Sequence, residues 1–345
     1  MTIGVDAGML GVSDERLKVG VYHVANNLLK NIAALDKKNT YRLYSFLPIP
    51  KFGNTMHNIV LSPARGYLRL RLPLELRTHP VDIFLGLGQA LPPFLHTTSI
   101  GFVYDLGFLF HKEAYGNSYK KLLGQTNYLV KHASHIITIS NATKHDIVSL
   151  YDRDPKTITV CYPGVDDRFK PQGERYHHKN PYILFVGSLT KTKNIPLLLQ
   201  SLALVKKPLD LLLAGGDYWP DPAIDESINR YKLSNRVKKL GFVSDEMLSR
   251  YYRGAVAFVT TALHEGFCLP VVEAMACGTP VIAVDRGALA ETVGDGGIVV
   301  RADAQSIANA VVSMNKHILG QNAIERAKVF SWHTFVKKVL SLYET

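Results

Sequence analysis

The sequence predicts an α/β protein built from two Rossmann-like, doubly wound parallel-sheet domains, and three observations carry that reading. Short apolar runs alternate with helix-length segments along the whole chain. That order runs once, breaks at a polar stretch and then runs again. The chain has 345 residues, 47% of them hydrophobic, which suffices for about two domains with a core each.

Taken in order, the first half offers strands at Ile3–Asp6, Tyr41–Phe46, Val81–Leu85, Thr98–Val103 and Ile136–Ile139, with a helical pattern over Val21–Leu35. Continuous apolar runs of this kind suit strands covered on both faces. The second half repeats the order with Tyr182–Val186, Leu209–Leu213, Val237–Leu240, Ala255–Thr260 and Val281–Val284. Between the halves, residues 173–181 are polar, bounded by glycine and proline and without periodicity, which reads as a linker. The expected domains are therefore 1–172 and one beginning at 173. In open parallel sheets ligands bind beyond the strand C-termini, so two such sheets facing a common central cleft put function in the strand-to-helix loops.

Composition removes several alternatives. Aromatic residues at 10% and charged residues at 20% exclude a disordered or collagenous chain and a coiled coil. Three cysteines without a C-x-x-C pair make no disulfide framework. The N-terminal residues resemble a buried strand rather than a signal peptide, and no apolar run reaches the roughly 18 residues that span a bilayer. A cytoplasmic setting is the expectation. Net charge is +11, and residues 1–80 supply +6 of it, from 11 Lys+Arg against 5 Asp+Glu. Such an excess suits phosphates in nucleotides, lipid headgroups or nucleic acid. A dinucleotide fingerprint is missing after the first strand, where Ala7-Gly8-Met9-Leu10-Gly11 has the wrong spacing.

The segment from Thr260 to Pro280 is the most informative. It follows an apolar strand, Pro270 suits a first helical turn and Gly278 suits a helix stop, so a short helix is expected from about Pro270 to Ala276. Its N-terminus would present backbone N–H groups to a diphosphate. Glu273 is expected in the first turn, with its carboxylate aimed at neighbouring hydroxyls, and Glu265 in the preceding loop. Either acid alone also fits an ordinary solvated or helix-start role.

Glu265 and Glu273, separated by seven residues, with Gly266-Phe267 and Leu269-Pro270 between them and Ala274-Met275-Ala276-Cys277-Gly278-Thr279-Pro280 after, resemble the signature of the group 1 (family 4) retaining glycosyltransferases. Phe185-Val186-Gly187-Ser188-Leu189 with Lys193-Asn194, and Leu240-Gly241-Phe242-Val243, resemble further landmarks of that family. So do Lys18-Val19-Gly20-Val21-Tyr22, Tyr162-Pro163-Gly164-Val165-Asp166 and Phe330-Ser331-Trp332.

The resemblance implies the GT-B architecture. It places an acceptor-binding domain at 1–172, a nucleotide-sugar-binding domain at 173–325 and a helix at 326–345 that returns to the first. It implies Lys193 on the donor diphosphate, Glu273 on the ribose and Glu265 near the sugar ring. Gly187, Ser188, Val243, Gly266, Phe267, Cys268 and Leu269 would line the donor, and Gly20 would let backbone approach the sugar or acceptor. Nucleotide departure would be metal-independent, without a cofactor, and the loop variant looks most like mannosyltransferases that use GDP-mannose, with a UDP-sugar as the alternative donor.

Two positions depart from the pattern. Serine stands at 188 where many members carry arginine, and Lys191 or a helix N-terminus is expected to compensate. Relatives commonly read His-Asp where this chain has Tyr104-Asp105. A tyrosine with a pKa of about 10 is a poor base near neutrality, so Asp105 becomes the leading polar candidate there, with Tyr104 as a hydrogen-bond donor to a sugar. These departures keep open a non-catalytic nucleotide-sugar-binding partner or a nucleotide-sugar epimerase.

Residues 64–77 interleave leucines with Arg65, Arg69, Arg71 and Arg77. They fit either a helix packed on the first sheet or a basic amphipathic segment on an anionic membrane. Clustered basic-aromatic motifs are missing, which disfavours nucleic acid. The expected partners are a nucleotide-sugar donor and a carbohydrate or lipid-linked acceptor.

Overall fold

A computed structural model of the chain describes residues 1–14, 17–216 and 221–344. It divides into two compact units, Met1–Pro163 with Trp332–Thr345, and Gly164–Ser331.

The first unit holds β1 (Thr2–Asp6), β2 (Thr40–Ser45), β3 (Met56–Val60), β4 (Ile83–Gly86), β5 (Thr98–Val103), β6 (His135–Thr138) and β7 (Ile158–Val160). They form one parallel sheet in the order β3-β2-β1-β4-β5-β6-β7. Val5 of β1 stands beside Leu43 of β2 and Leu85 of β4, and all three are fully buried. The second unit holds β8 (Tyr182–Val186), β9 (Asp210–Ala214), β10 (Val237–Gly241), β11 (Ala257–Thr260), β12 (Val281–Val284) and β13 (Gly297–Val300), parallel in the order β10-β9-β8-β11-β12-β13. Both are doubly wound Rossmann-like sheets, as the alternation of runs predicts.

Three strands escape the sequence pattern. β3 is an edge strand whose residues are mostly outside the core, β7 has three residues, and β13 follows a run of glycines. None shows the long apolar run that marks the others.

The polar stretch expected to be a linker is instead packed on the second unit. The Tyr176 N–H donates to the Arg250 carbonyl at 3.0 Å, Arg253 Nε donates to the Glu174 carbonyl at 2.7 Å, and His178 Nε2 lies 2.9 Å from Asp210 Oδ2. The division falls between Pro163 and Gly164, ahead of the expected boundary at 172 and 173.

The last helix, Trp332–Ser341, belongs to the first unit, whereas residues 326–331 stay with the second. Phe335 is buried in the first unit with its ring 6.4 Å from that of Phe102, and Lys338 Nζ donates to the Val160 carbonyl at 3.2 Å. Among the described residues no helix is long and apolar enough to cross a membrane.

Candidate functional site

In the second sheet, chain connections run one way from β8 through β9 to β10 and the other way through β11 to β13. β8 and β11 therefore flank the point where the winding reverses, where the loops after both strands diverge and leave a crevice. The loop after β8 carries Gly187, Ser188 and Lys193, and the loop after β11 carries Glu265, Gly266, Phe267 and Cys268.

The loop after β8 is fixed by its neighbour. Gly187 has φ 146° and its N–H donates to the Ala214 carbonyl at 2.9 Å. Gly215 has φ 150°, and a Cβ there would sit 2.0 Å from the Gly187 carbonyl oxygen. Only glycine allows that approach. A short 3-10 turn, Lys191–Lys193, then leads through left-handed Asn194 into the helix Ile195–Leu204.

Lys193 Nζ lies 2.5 Å from Glu265 Oε1, with the two side chains 25% and 13% exposed. The Thr261 hydroxyl is 3.0 Å from the carbonyls of Lys193 and Asn194, and the Leu263 N–H donates to the Thr192 carbonyl at 2.9 Å. Thr261 thus ties the two crevice loops together. Sequence reading missed it because a buried threonine after a strand carries no motif of its own. The Glu265 backbone is held from the far side, where its carbonyl accepts from the Ala288 N–H at 2.8 Å.

Cys268 is left-handed, φ 75°, and opens the helix Leu269–Ala276, with Pro270 in its first turn. Burial pushes its thiol up and keeps it neutral. Leu269 and Gly266 flank this helix start, whose N–H groups and partial positive charge favour an anion. Phe267 differs from expectation. Its ring is 2% exposed, packs edge-on against Phe330 at 5.2 Å, and its carbonyl accepts from Thr292 Oγ1 at 2.8 Å. The side chain is core, not a ligand contact.

Because the helix begins at Leu269, one residue earlier than expected, Glu273 falls just past its first turn. Its Oε2 accepts from the Tyr252 hydroxyl at 2.9 Å. Burial pushes its carboxyl up to about 7, the Tyr252 hydrogen bond and Arg168 oppose that rise, and Asp245 and Asp166 add to it. Arg168 pairs with both oxygens of Asp166 and donates to Asp245 Oδ2 at 3.0 Å. Ser244 caps the helix Asp245–Gly254, accepting from the Met247 N–H at 3.5 Å, and half-buried Val243 precedes it after Gly241 at φ 68°.

The residues expected in the N-terminal half lie in the first unit. Tyr104 is corrected to a structural role. It is 5% exposed, its hydroxyl donates to the Leu87 carbonyl at 2.8 Å, and burial raises the phenol above its ordinary range. A buried, already donating hydroxyl has no hydrogen to offer a sugar. Asp105 is half-buried and its Oδ1 accepts from the Gly107 N–H at 2.8 Å. Gln89 fixes this loop by accepting from the Tyr104 N–H at 3.0 Å and donating to the Asp105 carbonyl at 3.1 Å. Gly20 starts the helix Gly20–Leu35 with open space where a Cβ would stand. Asp6, at the end of β1, was missed as a candidate; burial raises its carboxyl, which accepts from the Gly8 N–H at 3.1 Å and the Tyr67 hydroxyl at 2.9 Å. Among the described residues no group of three or more His, Cys, Asp or Glu is placed to hold a metal ion.

Two doubly wound parallel sheets, the second with Lys193, Glu265 and a helix start at its switch point, have the GT-B fold class. Residues 166–329, most of the second unit, match the family described as "Glycosyl transferases group 1". The chain is similar to the O-antigen chain mannosyltransferase B of Escherichia coli, 29% identical over 231 residues, which covers 61% of each chain. The chain thus aligns with less than two thirds of that relative's length. Among solved structures it resembles a sucrose-phosphate synthase from Thermosynechococcus elongatus, with TM-score 0.81, 19% identity and 99% and 98% of the two chains covered. It also resembles Anabaena HepE in complex with UDP and glucose, with TM-score 0.75, 19% identity and 100% and 99% covered. At these identities the structures speak to the fold.

Proposed function

We propose that the chain is a retaining hexosyltransferase that moves mannose from GDP-mannose to an acceptor hydroxyl in polysaccharide or glycolipid synthesis. The observation that carries this reading is the Lys193–Glu265 pair beside the Leu269–Ala276 helix start, inside the segment that matches the family. In the reaction the sugar C1–O bond to the diphosphate breaks and a C1–O bond to the acceptor forms on the same face. The acceptor proton leaves with the diphosphate. Lys193 and the helix N-terminus stabilise the charge that develops on the leaving group, Glu265 accepts from sugar hydroxyls and Glu273 from the ribose. Gly187, Ser188 and Val243 line the donor, without a metal.

Mannose is supported by the name of the Escherichia coli relative. A UDP-sugar is the second reading, favoured by the nucleotide held in HepE. The first unit is assigned the acceptor, with Asp105 as its polar candidate. There Leu70 and Leu74 are 71% and 63% exposed beside exposed Arg65 and Arg69, and this face is proposed to rest on anionic lipid. Arg71 is less available, since its guanidinium donates to the Pro63 carbonyl at 2.8 Å.

The test is release of nucleotide or transfer of sugar by purified protein supplied with GDP-mannose, UDP-glucose and UDP-N-acetylglucosamine in turn. Turnover with one donor, lost in Glu265→Ala, is expected. Turnover that survives that substitution removes the reaction from this site.

A further inference from the structure

Glu273 is steered by a neighbouring helix. Tyr252, on Asp245–Gly254, is fully buried, and its hydroxyl donates to Glu273 Oε2 at 2.9 Å. The ring is confined by Phe169 at 5.9 Å and Phe258 at 6.0 Å, both edge-on, and the Tyr252 carbonyl accepts from the Thr279 hydroxyl at 2.6 Å. Glu273 Oε1 takes no hydrogen bond among the described residues.

We infer that Tyr252 is a positioning residue for the nucleotide: it locks one oxygen of Glu273 and leaves the other oxygen to accept from the ribose hydroxyls. This rests on the placement of the ribose at Glu273 proposed above. The groups facing that carboxylate are Asp166 and Arg168 from the 164–171 segment, Asp245 and Tyr252 from the neighbouring helix, and the neutral thiols of Cys268 and Cys277 beside its own helix. Two acids and burial favour protonation, and Arg168 and the Tyr252 hydroxyl oppose it. A protonated Glu273 would lose an acceptor that the ribose needs. Phenylalanine at 252 keeps the ring contacts and removes only the donor.

Titration of GDP and UDP into wild type, Tyr252→Phe and Glu273→Gln, each followed from pH 5.5 to 9 by calorimetry, tests this. With the nucleotide that binds, Tyr252→Phe is expected to weaken affinity roughly tenfold near pH 7, the value of one hydrogen bond to a charged group. Its loss of affinity on acidification should begin at higher pH than in wild type. With the 2′,3′-dideoxy nucleotide the penalty should vanish, which a general loss of packing would not produce.

An equal penalty on both nucleotides, or an unshifted pH profile alongside a weakened Glu273→Gln, overturns the inference while leaving Glu273 at the ribose. Unchanged affinity in Glu273→Gln, or no binding of either nucleotide, overturns that placement and the inference with it. Should Tyr252→Phe fail to fold, the wild-type profile decides: weakening as pH falls through about 7 supports an ionised Glu273 held by the neutral Tyr252 hydroxyl, and a flat profile refutes it.

Discussion

Replacing Lys193 by methionine keeps most of the aliphatic stem and deletes the ammonium that faces Glu265 at 2.5 Å. Two consequences can be sized. A unit charge about 4 Å from a phosphate oxygen contributes roughly 4 kcal/mol at an effective dielectric near 20, part of which is offset by desolvation. A net loss of about 3 kcal/mol corresponds to roughly a hundredfold drop in kcat/KM for the donor. The second consequence is on stability. Glu265, 13% exposed, would lose its counter-ion, and roughly 1–2 kcal/mol is expected, below the fully buried case because both groups touch solvent. Denaturant melts of Lys193→Met, Glu265→Gln and the double variant separate the two effects. The double variant should recover most of the stability and none of the turnover. A kcat/KM within twofold of wild type in Lys193→Met, with the donor that supports turnover, would refute the role of the cation.

Gly215→Ala would drive a methyl into the Gly187 carbonyl oxygen; the loop must shift, and donor affinity should fall at least tenfold with a stability loss of roughly 1–3 kcal/mol, read by calorimetry and thermal melts. Glu273 has its carboxyl raised from 4.5 to about 7, so its contribution to stability is present below pH 4.5 and is lost as pH rises through 7. Glu273→Gln should therefore gain roughly 1–3 kcal/mol relative to wild type at pH 8.5, a gain that disappears by pH 5; melts across that range would show it, and a pH-independent difference would contradict it. Reversing Arg65 and Arg69 to glutamate should reduce co-sedimentation with anionic vesicles about fivefold or more per site; binding to neutral vesicles as strong as to anionic ones would exclude the electrostatic contact.

Much of the second unit was legible. The buried runs at Tyr182–Val186 and Val281–Val284 were placed to the residue, because strands covered on both faces leave an unbroken apolar signature. Lys193, Glu265 and Glu273 were found through resemblance to a family signature, and the structure brings Lys193 to Glu265. What stayed hidden depends on partners distant in sequence. Tyr104 looked like a sugar contact until the Leu87 carbonyl, seventeen positions away, was seen to take its hydroxyl. Tyr252 and Thr261 carry no motif, and their roles arise only from which helix or loop the fold lays beside them. Residues 173–181 have the composition of a linker, yet backbone hydrogen bonds to Arg250 and from Arg253 fasten them down.

The ownership of the last helix bears on the order of assembly. The second unit is one continuous segment, Gly164–Ser331, so every residue it needs is present before the chain is finished. The first unit takes in Met1–Pro163 but also needs Trp332 and Phe335, which leave the ribosome after the whole of the second unit. The unit begun first thus waits for the second to be synthesised, with the ring of Phe102 lacking its contact with Phe335 until then. A chain stopped at Ser331 would hold a complete second sheet and an unfinished first core.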